Sequence, residues 1–186
     1  GSVDVAQNKK TINETVLALM EQSVSFVFKN IQTGVSTEKG GTKTFEYPER
    51  LIRECVNNSL AHRDYSIDQF ININIVPGRH IQIRNPGRFK KQLLILDLKD
   101  NIPVRRIIPG NPKANNQKLA KILSVHNKWE GKGWGMATVL GACLDNRIDM
   151  PYYIFHSRDD LSLFVPKGKL VDESMESLFE SYSGYI

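Results

Sequence analysis

Glu54 and Asn58 stand four residues apart in the run Glu54-Cys55-Val56-Asn57-Asn58-Ser59. In a helix that spacing turns a carboxylate and a carboxamide onto one face, roughly a turn apart. A carboxylate so placed can take a proton from an attacking water, a role worth roughly 10²- to 10⁴-fold in rate. The carboxamide oxygen of Asn58 is the kind of lone protein ligand that suits Mg²⁺, which keeps several waters and binds phosphate oxygens beside few side chains. Two later segments could complete a nucleotide pocket around this pair: Ile83-Arg84-Asn85-Pro86-Gly87, and Glu130-Gly131-Lys132-Gly133-Trp134-Gly135.

In the first of these, Asn85 can turn its amide toward an adenine edge, the oxygen accepting from the exocyclic amine, while Gly87 lets the base lie against backbone. The alternative is plain turn chemistry at Asn-Pro-Gly. In the second, Gly131, Gly133 and Gly135 alternate ahead of an apolar helical stretch, and glycines that weaken a helix need a reason. They suit a lid whose backbone approaches phosphate oxygens closely. The helix N-terminus that follows would favour negative charge by about 0.3–1 kcal/mol per exposed charge. The alternative here is a glycine-rich turn.

Three better-known motifs are excluded. No Gly-Lys-Ser/Thr follows at P-loop spacing, and the G-x-G-x-x-G dinucleotide pattern fails. His62-Arg63-Asp64 is not a protein-kinase catalytic loop, because Gln69 stands where that motif needs Asn and no Gly-rich loop precedes it. His62 instead extends the Glu54–Asn58 stripe and is expected at the edge of the pocket.

The elements that must hold these residues follow from apolar periodicity. Ile12, Val16, Leu19, Met20, Val24, Val27 and Ile31 mark an amphipathic helix over 11–31. Residues 34–44, rich in Gly, Ser, Thr and Lys, predict a mobile connection or an irregular hairpin. Pro48 suits the first turn of a helix reaching Ala61, with Ile52, Val56 and Leu60 as its buried stripe. Ile71, Ile73 and Ile75 alternate with Asn in a half-buried strand, Pro77-Gly78-Arg79 makes a turn, and 80–84 returns as a second strand. A short helix is expected at 91–96, another at 116–123, a third at 134–144, and a closing antiparallel pair at 152–156 and 162–165. Helices gathered against mostly antiparallel strands predict an α+β fold, a two-layer sandwich.

The 186 residues suffice for a sizeable core, and 40% hydrophobic with 24% charged residues is ordinary for a globular chain. Neither a membrane-length apolar run nor an export signal is visible, so no membrane contact and a cytoplasmic home are expected. Cys55 and Cys143 carry no metal spacing and predict buried reduced thiols. The net charge of +5, with a pI near 9.2, is compatible with an anionic ligand or nucleic acid and diagnostic of neither. Gly1-Ser2 reads as a cloning scar, which would make the chain a piece of something longer. The expected organisation is a disordered lead over 1–10, a nucleotide-binding domain over 11–170, and an acidic, aromatic tail over 171–186.

The string Tyr47-Pro48-Glu49-Arg50-Leu51-Ile52-Arg53-Glu54-Cys55-Val56-Asn57-Asn58-Ser59-Leu60-Ala61-His62-Arg63-Asp64-Tyr65-Ser66 resembles the signature segment around the N box of the GHKL ATPases. Gyrase, histidine kinases and mismatch-repair MutL share that fold, and the resemblance is to its RecG-like transcriptional regulators. Asn85-Pro86-Gly87 is similar to the G1 segment, Asn115-Asn116 to the Arg-Asn before the family's short helix, and residues 130–135 to its G2 glycine lid. The resemblance covers about residues 12–167. It implies a histidine kinase/gyrase-like Bergerat fold with a mixed, mostly antiparallel sheet, binding ATP with Mg²⁺. Glu54 would be the general base and Asn58 the Mg²⁺ ligand, with His62, Asn85, Gly87, Asn116, Gly131, Gly133 and Gly135 around the nucleotide. Asn85 stands where well-studied ATPases carry Asp, though Asn is usual in this subfamily, and Asn115 stands where the subfamily has Arg.

The expected function is therefore ATP- and Mg²⁺-dependent lid closure that controls neighbouring DNA-binding domains or homodimerisation, with slow or absent hydrolysis. DNA would be contacted through domains outside this chain, since relatives carry a Schlafen/AlbA-like domain. The alternative is a degenerate module of the same fold that binds no nucleotide and serves in dimerisation or DNA contact. A phosphotransferase acting on protein histidine lacks any phosphoacceptor helix.

Overall fold

The computed structural model of the chain describes residues 9–31, 33–36, 42–87, 102–103, 114–126, 135–157, 159–171, 174–175 and 177. Helix α1 (Val16–Asn30) buries Met20, Val24 and Val27, one stripe at helical spacing, and Ile31 continues that stripe just past its end. β1 (Thr33–Ser36) pairs antiparallel with β2 (Thr42–Phe45), as in the hairpin that is one of the two forms expected for this segment.

Helix α2 (Glu49–His62) is the spine of the molecule. Pro48 is its N-cap rather than part of its first turn: its φ of −62° and ψ of 138° are extended, and its carbonyl accepts from the Leu51 and Ile52 amides. Buried residues lie nearly all round α2, including Leu51, Ile52, Cys55, Val56 and Leu60, because α1, the helix that follows the glycine run and the sheet all pack on it.

The hairpin of β3 (Asn72–Val76) and β4 (His80–Pro86) turns through Val76-Pro77-Gly78-Arg79. Arg79 N–H donates to the Val76 carbonyl at 2.9 Å and Gly78 has φ 74°, so proline and glycine take the positions a type II turn assigns them. After β5 (Ile102–Pro103) come α3 (Gln117–Val125) and α4 (Gly135–Asp145), then β6 (Tyr152–Ser157) and β7 (Asp160–Pro166). The main sheet has the order β3-β4-β7-β6-β5, and every described pair in it is antiparallel.

Alternation fixes which face meets the helices. Ile81, Ile83 and Asn85 on β4, and Leu161, Leu163 and Val165 on β7, are buried beneath α2, while Arg84 on β4 and Asn72 and Asn74 on β3 face outward and are exposed. The result is a two-layer α/β sandwich. The helix expected at 91–96 lies outside the described residues; of the tail, Val171 is described in a bend and Ser174, Met175 and Ser177 as helical. Among the described residues no helix is long and apolar enough to cross a membrane.

Candidate functional site

Glu54 and Asn58 share one flank of α2, and the backbone of Gly135, the first residue of α4, stands against both. A Cβ built on Gly135 would overlap Glu54 Oε1 and come within 3.1 Å of both Asn58 side-chain amide atoms. Any side chain at this position would require the Glu54 carboxylate to move and Asn58 to give slightly. The carboxylate thus meets the amide end of a helix, where the dipole favours negative charge. Val139, Ala142 and Cys143 bury the inner face of α4 and fix its position.

Glu54 is 8% exposed, and its charge is felt by its neighbours. Burial pushes the Tyr153 phenol far above its ordinary value, and the adjoining Cys55 and Glu54 push it further in the same direction. The Cys55 thiol is raised by burial first and by Glu54 second. Cys143, on the facing helix, is raised by burial and by Asp149 to about 11. Both thiols are free and buried, as expected.

Asn85 reaches α2 from β4, one residue before its end. It is 6% exposed, and its Nδ2 donates to the Ser59 carbonyl of α2 at 3.1 Å. That bond fixes the amide orientation, because only the nitrogen can face a carbonyl oxygen. Asn85 Oδ1 is then a buried acceptor with no hydrogen-bond partner among the described residues. A buried polar atom left so calls for a donor, which an ordered water or a ligand would supply.

Gly87, with φ 140°, has a packing reason of its own. Its Cβ position lies 3.2 Å from the Asp64 amide nitrogen and 3.4 Å from the His62 carbonyl, so the glycine lets β4 close onto the end of α2. The neighbouring Pro86 carbonyl accepts from the Asp64 amide at 2.9 Å, stitching the same junction.

Asn116 lies at the same junction. Its Nδ2 donates to the Ala61 carbonyl at 3.0 Å and the Arg63 carbonyl at 2.7 Å, and Asn115 Nδ2 donates to the His62 carbonyl at 2.9 Å. The pair caps α2 from 50 residues or more away, satisfying carbonyls that a helix end leaves open. The Asn116 amide donors point at α2. His62 is exposed at the end of α2. Gly131 and Gly133 lie outside the described residues.

One polar cluster had no sequence signal beyond strand alternation. On the outer sheet face, the fully buried Ser162 hydroxyl lies 2.9 Å from Gln82 Nε2 and 2.8 Å from His156 Nε2. A serine with no accessible surface is not a nucleophile for an external substrate, so this is a cross-strand hydrogen-bonded set. Among the described residues no three His, Cys, Asp or Glu side chains converge on a metal cage. The oxygen donors of Glu54 and Asn58 suit Mg²⁺ held chiefly by phosphate and water.

No protein-family model and no curated protein matches the chain. Among solved structures it is similar to the crystal structure of the DIP2311 protein from Corynebacterium diphtheriae, at 20% identity and a TM-score of 0.62. The match covers 82% of this chain and 29% of that one, and it shows a shared fold.

Proposed function

We propose that the chain binds ATP with Mg²⁺ on the flank of α2, as the GHKL-like nucleotide-binding part of a cytoplasmic transcriptional regulator. The observation that carries this reading is Asn85, whose buried Oδ1 is an acceptor without a partner among the described residues while its Nδ2 is fixed on Ser59. An adenine exocyclic amine is a donor of the right kind. Asn58 would offer the ion its carboxamide oxygen and Glu54 would hold a proton taken from water. Bound Mg²⁺ would supply charge neutralisation at the phosphates. The amides at the start of α4, against the same two side chains, favour an anion there. Lid closure over 131–135 would then change how neighbouring domains pair or engage DNA.

A second reading has its own observation. The Gly135 backbone is packed onto Glu54 and Asn58, the space a phosphate would need, which favours a degenerate module of the same fold that binds no nucleotide. Thermal melting separates the two. Ligand at 100 times its dissociation constant adds about 2.7 kcal/mol, so ATP with Mg²⁺ raises the midpoint on the first reading and leaves it unmoved on the second.

A further inference from the structure

The main sheet has two edges, and they are finished differently. The β5 edge is two residues long and ends in Pro103, which has no amide to offer another strand. The β3 edge has no such protection. Its register with β4 runs unbroken from Asn72 opposite Arg84 to Val76 opposite His80, so it carries no bulge. The run Phe70-Ile71-Asn72-Ile73-Asn74-Ile75-Val76 contains no charge and no proline. Edge strands are ordinarily blunted by one of these devices. Among the described residues no strand pairs with its outer side.

The side chains are unfinished as well. On β4, Ile81 and Ile83 are 1% and 2% exposed, yet Ile73 and Ile75 of β3 are only partly buried, packed against the core rather than within it. Phe70, just ahead of the strand, is 75% exposed. It is held there: Arg63 Nη2 donates to the Gln69 carbonyl at 2.6 Å, and Asn72 Nδ2 donates to the Phe70 carbonyl at 3.2 Å.

We infer that β3 is an interface strand that pairs antiparallel with β3 of a second copy of this chain, joining the two main sheets into one. A two-fold axis at Asn74 sets Asn74 opposite itself and Ile73 opposite Ile75 of the second copy. In this register Ile73 and Ile75 meet on the helix side, while on the open side Asn74 meets itself and Asn72 meets Val76, so no charge is opposed on either face. With +5 net charge per chain, a strand free of charge is what lets two copies meet. The inference is independent of nucleotide binding.

Sedimentation equilibrium of the full chain, from low to high micromolar, tests it with two variants of the exposed Asn74. The native chain is expected to form a dimer, and Asn74→Lys, which sets two charges face to face, a monomer with unchanged circular dichroism and melting of the dilute protein. Asn74→Cys is expected to form a disulfide-linked dimer under mild oxidation faster than Asp145→Cys, at the exposed end of α4. Cys55 and Cys143 are buried and do not compete. A native chain that stays monomeric throughout overturns the inference. So does a dimer that persists in Asn74→Lys, since it is held elsewhere, or crosslinking no faster at 74 than at 145.

Discussion

Gly135 and Glu54 are in contact across the α2–α4 junction so closely that a Cβ on the glycine would push the Glu54 carboxylate from its place. A glycine early in a helix ordinarily costs about 0.8–1 kcal/mol relative to alanine, so its replacement should stabilise. Here the sign is expected to reverse. Gly135→Ala must displace the Glu54 carboxylate and crowd Asn58, an overpacking cost of about 1–3 kcal/mol. Gly141→Ala is the control on the same helix, where a Cβ meets nothing within 4 Å, and a gain of about 0.5–1 kcal/mol is expected. Placing Gly135→Ala in a Glu54→Ala background should restore the gain. Urea unfolding of the four variants measures this, and additivity of the two changes at 135 and 54 would show that they do not touch.

Asn85→Asp exchanges the donor that Ser59 uses for a second acceptor. The new carboxylate would be buried beside a carbonyl, at a cost of about 1–3 kcal/mol or more at neutral pH. Below the pKa of the new carboxyl a proton returns the donor, so the lost stability is expected to come back as pH falls. Melting curves of native and variant chains across pH check it; equal stability at pH 7 would mean that the Ser59 bond contributes nothing. The contact with α2 thus accounts for the donor half of the amide and leaves its oxygen open.

Asp160 and Arg84 pair across β4 and β7 on the outer face. The Arg84 hydrogen bond holds the Asp160 carboxyl below its ordinary value, against a smaller opposing effect of burial. A depressed carboxyl pKa contributes stability above the unfolded-state value, about pH 4, and loses it as pH falls through the folded-state value. The native chain and Asp160→Asn are thus expected to differ at neutral pH and to converge in acid. Arg84 is half exposed, so salt should narrow the difference at neutral pH. A gap in melting temperature that persists in strong acid would contradict the assignment.

How much of this was legible depended on whether the cause was local. The stripes of α1 and α2, the Asn/Ile alternation of β3 and the Pro-Gly turn are written within a few residues of where they act, and the elements formed there with shifts of a few residues at their ends. The four-residue spacing of Glu54 and Asn58 did bring both to one helix flank, with Gly135 against them. What escaped was non-local. Gly87 is set by its approach to Asp64, and Asn115 and Asn116 by carbonyls more than 50 residues earlier. No pattern inside the Asn-Asn pair says which helix end it will close. The open β3 edge is likewise a property of strand order, which alternation alone does not encode.

Calorimetric titration of ATP into the native chain, with and without Mg²⁺, tests nucleotide binding on the α2 flank most directly. Saturable heat is predicted with Mg²⁺, with metal dependence lost in Asn58→Ala and binding retained in Glu54→Ala. The absence of heat at millimolar nucleotide, from a chain that melts cooperatively, would contradict it.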